Sequence, residues 1–114
     1  MSGAFDLAHL ERYVCGDDAL RNEILTIFEE QAAQWIGRFA PEAEDDDWRD
    51  AAHALKGAAR GIGAWAIGDL CEAAEKLVAG TPEKVAKRKV VLAELRRHID
   101  AAVEETKRLR ASAA

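Results

Sequence analysis

Of the three histidines in this 114-residue chain, His53 stands among side chains that could do chemistry with it. With Trp48 at zero and about 100° per residue, Lys56, Arg49, Arg60, His53 and Gly57 fall at about 80°, 100°, 120°, 140° and 180° on a helix. Ala52, Leu55, Ala59 and Ile62 lie within about 40° of Trp48, and Ala51 about 60° off, so these form the inward side and His53 the outward one. An accessible imidazole can act as a nucleophile and hold a phosphoryl group as a reactive phosphoramidate. Lys56, one turn on, can pair with phosphate oxygens and stabilise the charge that develops during in-line transfer. Arg60 and Arg49 can add weaker, more screened help. A solvated helix face that happens to hold a histidine fits the same spacing.

Gly57 separates the two readings. Glycine in mid-helix costs about 1 kcal/mol against alanine, so it needs a reason. Helical side chains lean towards the N-terminus, so the residue four positions after His53 would partly cover its ring, and glycine leaves the ring open.

Other constellations are weaker. Asp50 with His53 (i, i+3) and Glu94 with His98 (i, i+4) have the spacing of a carboxylate-bridged metal bundle. Such ligands must face inward, and the cations beside His53 would repel a metal, so none is expected. His9 and His98 are expected to be solvated. Lys84, Lys87, Arg88, Lys89, Arg96 and Arg97 make the last helix basic, but no aromatic residues interleave with them, and they read as a solvated face. Trp35, Trp48 and Trp65 read as core or helix-junction packing.

Five helices must position these residues. Asp6 can cap a short first helix running to about Val14, stopped by Gly16. Asp17 and Asp18 offer caps for a long second helix, in which Leu20, Ile24, Ile27, Phe28, Gln31, Trp35 and Phe39 form one stripe until Pro41. The acidic stretch Glu42 to Asp47 leads into a third helix from about Asp46 to Arg60, with Gly61 and Gly63 in the following turn. The fourth spans about Ala66 to Ala79, with Ile67, Leu70, Cys71, Ala74, Leu77 and Val78 inward. Thr81 and Pro82 give the cap and first position of a last helix running to about Arg110, with Val85, Leu92, Leu95, Ile99, Ala102 and Val103 inward. Short connections between four substantial helices predict an all-α, antiparallel up-down four-helix bundle with a short N-terminal capping helix, in one domain over residues 1–114.

Composition narrows the function. A net charge of −5 gives no overall attraction to nucleic acid or to an anionic membrane, and no segment approaches a membrane span or a secretion signal. Cys15 and Cys71 suggest neither a disulfide framework nor a zinc site, and Cys71 reads as core. A cytoplasmic chain is expected.

The run Ala52-His53-Ala54-Leu55-Lys56-Gly57-Ala58-Ala59-Arg60-Gly61-Ile62-Gly63-Ala64, followed by Leu70, Cys71 and Glu75, resembles the histidine-containing phosphotransfer (HPt) domain family. The segment from about Leu20 to Leu77 is similar to that family's second to fourth helices. Ala54 and Ala58 depart from it, standing where many members have Thr or Ser. The resemblance implies that His53 accepts a phosphoryl group from a receiver-domain aspartate and passes it to another receiver domain in a multistep phosphorelay. It implies receiver domains of a hybrid histidine kinase and of a response regulator as partners. It also implies no cofactor of the chain's own, since the Mg²⁺ would belong to the receiver. Glu75 matches the family position whose side chain hydrogen-bonds the imidazole Nδ1, leaving Nε2 as nucleophile. A sensor-kinase phosphoacceptor hairpin is the rival, but there an acidic residue usually follows the histidine, whereas Ala54 follows here, and no glycine-rich phosphate loop is present. A covalent carrier without an ATP site is therefore expected, as a monomer. The alternative is an HPt-like bundle that only binds receivers as scaffold or inhibitor.

Overall fold

A computed structural model describes residues 4–112, and helices are the only regular structure among them. They are α1 (Leu7–Tyr13), α2 (Asp18–Gly37), α3 (Asp45–Gly61), α4 (Trp65–Glu75) and α5 (Lys84–Ser112). The four longer helices form the expected bundle, with α1 across one end. None is long and apolar enough to cross a membrane.

Local chemistry sets the helix starts. The Asp6 carboxylate accepts from the His9 amide at 3.1 Å, and Asp17 accepts from that of Leu20 at 3.0 Å. The turn after α3 is a Schellman motif: Ala64 N donates to the Ala59 carbonyl at 2.8 Å and Gly63 N to that of Arg60 at 3.3 Å. Gly63 has φ +83°, and a Cβ there would lie 3.0 Å from the Asp6 carbonyl oxygen, so both conformation and space require glycine.

The same turn holds α1. Asp6 N donates to the Gly63 carbonyl at 2.8 Å, and the second carboxylate oxygen of Asp6 accepts from the Trp65 indole at 2.9 Å. The indole's hydrogen bond, ahead of that from the His9 amide, holds the Asp6 carboxyl below the usual range. His9 is thus no solvated residue. Its Nε2 lies 3.1 Å from the Gly61 carbonyl, one of the orphan acceptors at the end of α3, and its ring stands edge-on to Trp65 at 4.8 Å. His98 is half-buried, with Nδ1 donating to the Glu94 carbonyl at 2.9 Å.

Three boundaries or faces differ from expectation. In α2 the buried line is Leu25, Phe28 and Ala32, while Leu20 and Ile27 are exposed at 40% and 45%. Apolar residues spread over a wide arc of this helix, and the packing of α2 on α5, where Arg110 reaches Glu29 at 2.6 Å, decides which become core. Helix α4 stops at Glu75, because the amides of Lys76 and Leu77 turn back tightly to the carbonyls of Ala73 and Ala74. Thr81 does not cap α5: its hydroxyl donates to the Lys76 carbonyl at 3.2 Å, and the left-handed φ of Glu83 (53°) delays α5 until Lys84.

Within α5, Leu92, Leu95, Ile99 and Ala102 are buried as expected, and Arg88 is buried against expectation. Its guanidinium donates to the carbonyls of Leu77 (2.8 Å), Pro41 (3.1 Å) and Ala43 (2.9 Å) and to Asp45 (2.8 Å), and lies 4.8 Å over the Trp48 ring. A buried cation is tolerable when its donors are satisfied in this way. Arg88 thereby ties both interhelical loops flanking the α3–α4 pair to α5.

Candidate functional site

Helix α3 presents the two faces foreseen for it. Trp48, Ala52, Leu55 and Ala59 have no exposed surface, whereas the His53 side chain is 74% exposed. A Cβ built on Gly57 meets nothing within 4 Å, so this glycine serves no close packing and leaves open space beside the ring. Ala54 is exposed too.

Glu75, the last residue of α4, joins the site. Its Oε2 lies 3.3 Å from His53 Nδ1, and Lys56 Nζ donates to Oε1 at 2.5 Å and to Oε2 at 3.0 Å. The carboxylate is 17% exposed, half sheltered between α3 and α4. Burial pushes its acidity down, but the hydrogen bonds from Lys56 and His53 outweigh burial and hold the carboxyl below its ordinary range. Glu75 is therefore an anion at neutral pH. With Nδ1 donating to it, the ring's lone pair is on Nε2, which has no hydrogen-bond partner among the described residues.

The approach of α4 to α3 is set by Trp48, whose indole donates to the Ala74 carbonyl at 2.7 Å in the core. That carbonyl belongs to the residue just before Glu75. Phe39 packs edge-on against the same indole at 5.3 Å. Cys71, also from α4, is fully buried, and burial followed by the nearby Glu75 charge pushes its thiol up to about 12. It is inert packing.

The other cations are directed elsewhere. Arg60 points to α4, 3.5 Å from both Asp69 and Glu72 and across Gly68, and nothing joins it to His53. Arg49 pairs with Asp46. Their positions on the helical wheel put both on the outward side, but acidic neighbours, invisible to the wheel, capture the guanidinium groups. Among the described residues no three His, Cys, Asp or Glu side chains are grouped to hold a metal ion.

Sequence reasoning missed Trp48 as a donor and Arg88 as a buried link. A buried indole N–H nearly always finds an acceptor, and that rule was the available signal for Trp48. No comparable signal marks Arg88 within a run of solvated Lys and Arg.

The family model for the Hpt domain matches residues 21–108, which include all of α3 and α4 and nearly all of α2. The chain belongs to the Hpt-domain family. Among solved structures, this Hpt domain is similar to the histidine phosphotransferase ShpA from Caulobacter crescentus, at 36% identity and a TM-score of 0.73. The match covers 96% of this chain and 93% of that one. The sequence has no match among curated proteins.

Proposed function

We propose that the protein is a phosphocarrier that accepts a phosphoryl group on Nε2 of His53 from a receiver-domain aspartate and passes it to a second receiver domain. The observation that carries this reading is the exposed His53 ring with Nδ1 facing the Glu75 carboxylate, which leaves Nε2 as the nucleophile. Family membership and the similarity to ShpA support it. In each transfer a nitrogen or oxygen nucleophile approaches phosphorus in line with the leaving group, and Lys56 neutralises the charge that spreads over the equatorial oxygens. Gly57 leaves room for the partner surface. The residues assigned to the site are His53, Lys56, Glu75 and Gly57. Arg60 acts on α4 instead, where it pairs with Asp69 and Glu72. We read residues 1–114 as one domain, acting as a cytoplasmic monomer without an ATP site, cofactor or metal of its own. Its partners are receiver domains of a hybrid histidine kinase and of a response regulator.

The test is incubation with a phosphorylated receiver domain. Label should appear on this protein, survive base and be lost in acid, as a phosphohistidine does. His53→Gln should abolish labelling with unchanged circular dichroism, while His9→Gln and His98→Gln keep it. Undiminished label on the His53 variant would refute the assignment.

A further inference from the structure

Glu75 is a carboxylate where an amide could make the same hydrogen bond to Nδ1, and the difference has chemical weight once the ring carries a phosphoryl group. We propose that Glu75, acting through the Nδ1 proton, makes the phosphohistidine at His53 a short-lived, strongly donating species, and that Lys56 offsets the Glu75 charge only until the phosphoryl group draws the ammonium away. The proposal rests on the phosphocarrier reading above and concerns how readily the carrier gives its cargo away.

With phosphorus on Nε2, the only ring nitrogen left is Nδ1, which faces Glu75 Oε2 at 3.3 Å. In transfer, a receiver carboxylate oxygen forms the new P–O bond as the Nε2–P bond breaks, and the electron pair returns to Nε2. If Nδ1 keeps its proton, the departing group is neutral imidazole, which leaves easily. Without that proton it would be an imidazolate, a poor leaving group. In hydrolysis water takes the place of the carboxylate and its proton goes to the released phosphate.

An ionised carboxylate holds the Nδ1 proton by a charge-assisted hydrogen bond, and a neutral amide oxygen holds it less well. In the unphosphorylated chain Lys56 lies on both oxygens of Glu75, at 2.5 and 3.0 Å, and offsets the carboxylate charge. A phosphoryl group brings close to two negative charges one turn from Lys56, and competes for the ammonium. As Lys56 turns to the phosphoryl oxygens, the uncompensated carboxylate acts on the Nδ1 proton. Arrival of the cargo thus arms its own departure. Among the described residues no other charged group pairs with the ring: Arg49 is held by Asp46, Arg60 by Asp69 and Glu72, and Asp50, exposed on α3, forms no hydrogen bond or ion pair with it. From α4 only Glu75 reaches the ring, and no ionisable group of α2 does.

Glu75→Gln keeps size and an acceptor while removing the charge. The parent and variant chains are labelled with phosphoramidate, a small-molecule donor that needs no partner, and decay of the label is followed from pH 5 to 9. The variant's phosphohistidine should persist about tenfold longer at pH 7, with its decay profile displaced by about one pH unit towards acid, the low end for an opposite charge at this distance. Lys56→Ala should leave the pH profile where the parent's lies, because in the phosphorylated chain Lys56 has already left Glu75 for the phosphoryl oxygens, and should not shorten the lifetime. A purely architectural Glu75 would not displace the pH profile. A second measurement needs no variant: the parent's label should become longer-lived when the chain is unfolded in urea. Identical decay profiles for parent and Glu75→Gln, or an unchanged lifetime in urea, would overturn the inference and leave the carrier reading standing. A parent that takes no label on His53 would overturn both.

Discussion

In the proposed transfer Lys56 and Gly57 make separable contributions, because each acts on a different part of the reaction. Lys56 acts on the moving phosphoryl group, so Lys56→Ala should slow transfer from a phosphorylated receiver by roughly tenfold to a hundredfold while leaving receiver affinity nearly unchanged. Rapid-quench transfer rates alongside a binding titration would check this, and equal rates would make Lys56 only the partner of Glu75. Gly57 acts on access. Since a Cβ there meets open space, Gly57→Ala should stabilise the fold by up to about 1 kcal/mol through helix propensity. Gly57→Leu should retain the fold yet depress transfer steeply, because its side chain leans over His53 and holds the partner beyond the in-line distance of about 3 Å. Thermal melts and transfer rates on the same preparation should move in opposite directions. A folded Gly57→Leu protein with the parental rate would end the access argument.

At the scale of helices, the site depends on one hydrogen bond that is not part of it. Trp48 reaches from α3 to the Ala74 carbonyl, so the end of α4, and with it Glu75, is held at a fixed height beside His53. Trp48→Phe keeps most of the ring but removes one of the two donors to that carbonyl, the Leu77 amide remaining, which should destabilise the domain by about 0.5–1.5 kcal/mol. At a temperature where both proteins are folded, transfer should also fall, since Glu75 loses its support. Lost stability with full transfer activity would reduce Trp48 to packing. Helix α3 was legible in the sequence because its apolar residues keep one strict stripe and its charges keep to the other side. Helix α2 was less so: Leu20 and Ile27 extend its apolar arc beyond what one partner can cover, and only the packing of α5 selects Leu25 and Ala32. The early end of α4 and the late start of α5 depend on Thr81 turning back to Lys76, a choice between two neighbours that spacing cannot make. Within the site, His53, Lys56 and Gly57 follow from the helical wheel, whereas Glu75 meets them only because α4 crosses α3 at this angle. Arg60 lies on the same wheel and is drawn away by Asp69 and Glu72.

For the whole molecule, three carboxylates bind fold elements together and should govern acid stability. Asp45 is held below its ordinary value of 3.8 chiefly by the hydrogen bond from Lys84, with help from the Ala79 amide and Arg88. Asp6 is likewise below 3.8 and Glu75 below 4.5. For groups lowered in this way the folded state binds fewer protons than the unfolded one. Their contribution is full above the ordinary value and disappears as the pH falls through the lowered one. The thermal midpoint should therefore be level near neutrality and decline from about pH 4.5 downward. Asp45→Asn should melt lower than the parent at pH 7, and the gap should narrow below pH 3.8, where the parent loses the same interaction. A gap that stays constant down to pH 2 would show that Asp45 acts through shape and not charge.

The latch at the other end of α3 bears on how the molecule can be handled. Ala4 N donates to Glu105 at 3.0 Å, and Asp6 is fastened to Gly63, so the start of the described chain lies against the later part of α5. The path of the backbone is close to a closed circuit, about 48 Å long and 20–25 Å across, whose seam is at the α1 end. His53 sits about 12 Å back along α3 from Gly61 and faces outward. A dye, a resin or a fused protein attached near the seam would therefore stand that length of α3 away from the nucleophile and leave its outward face uncovered.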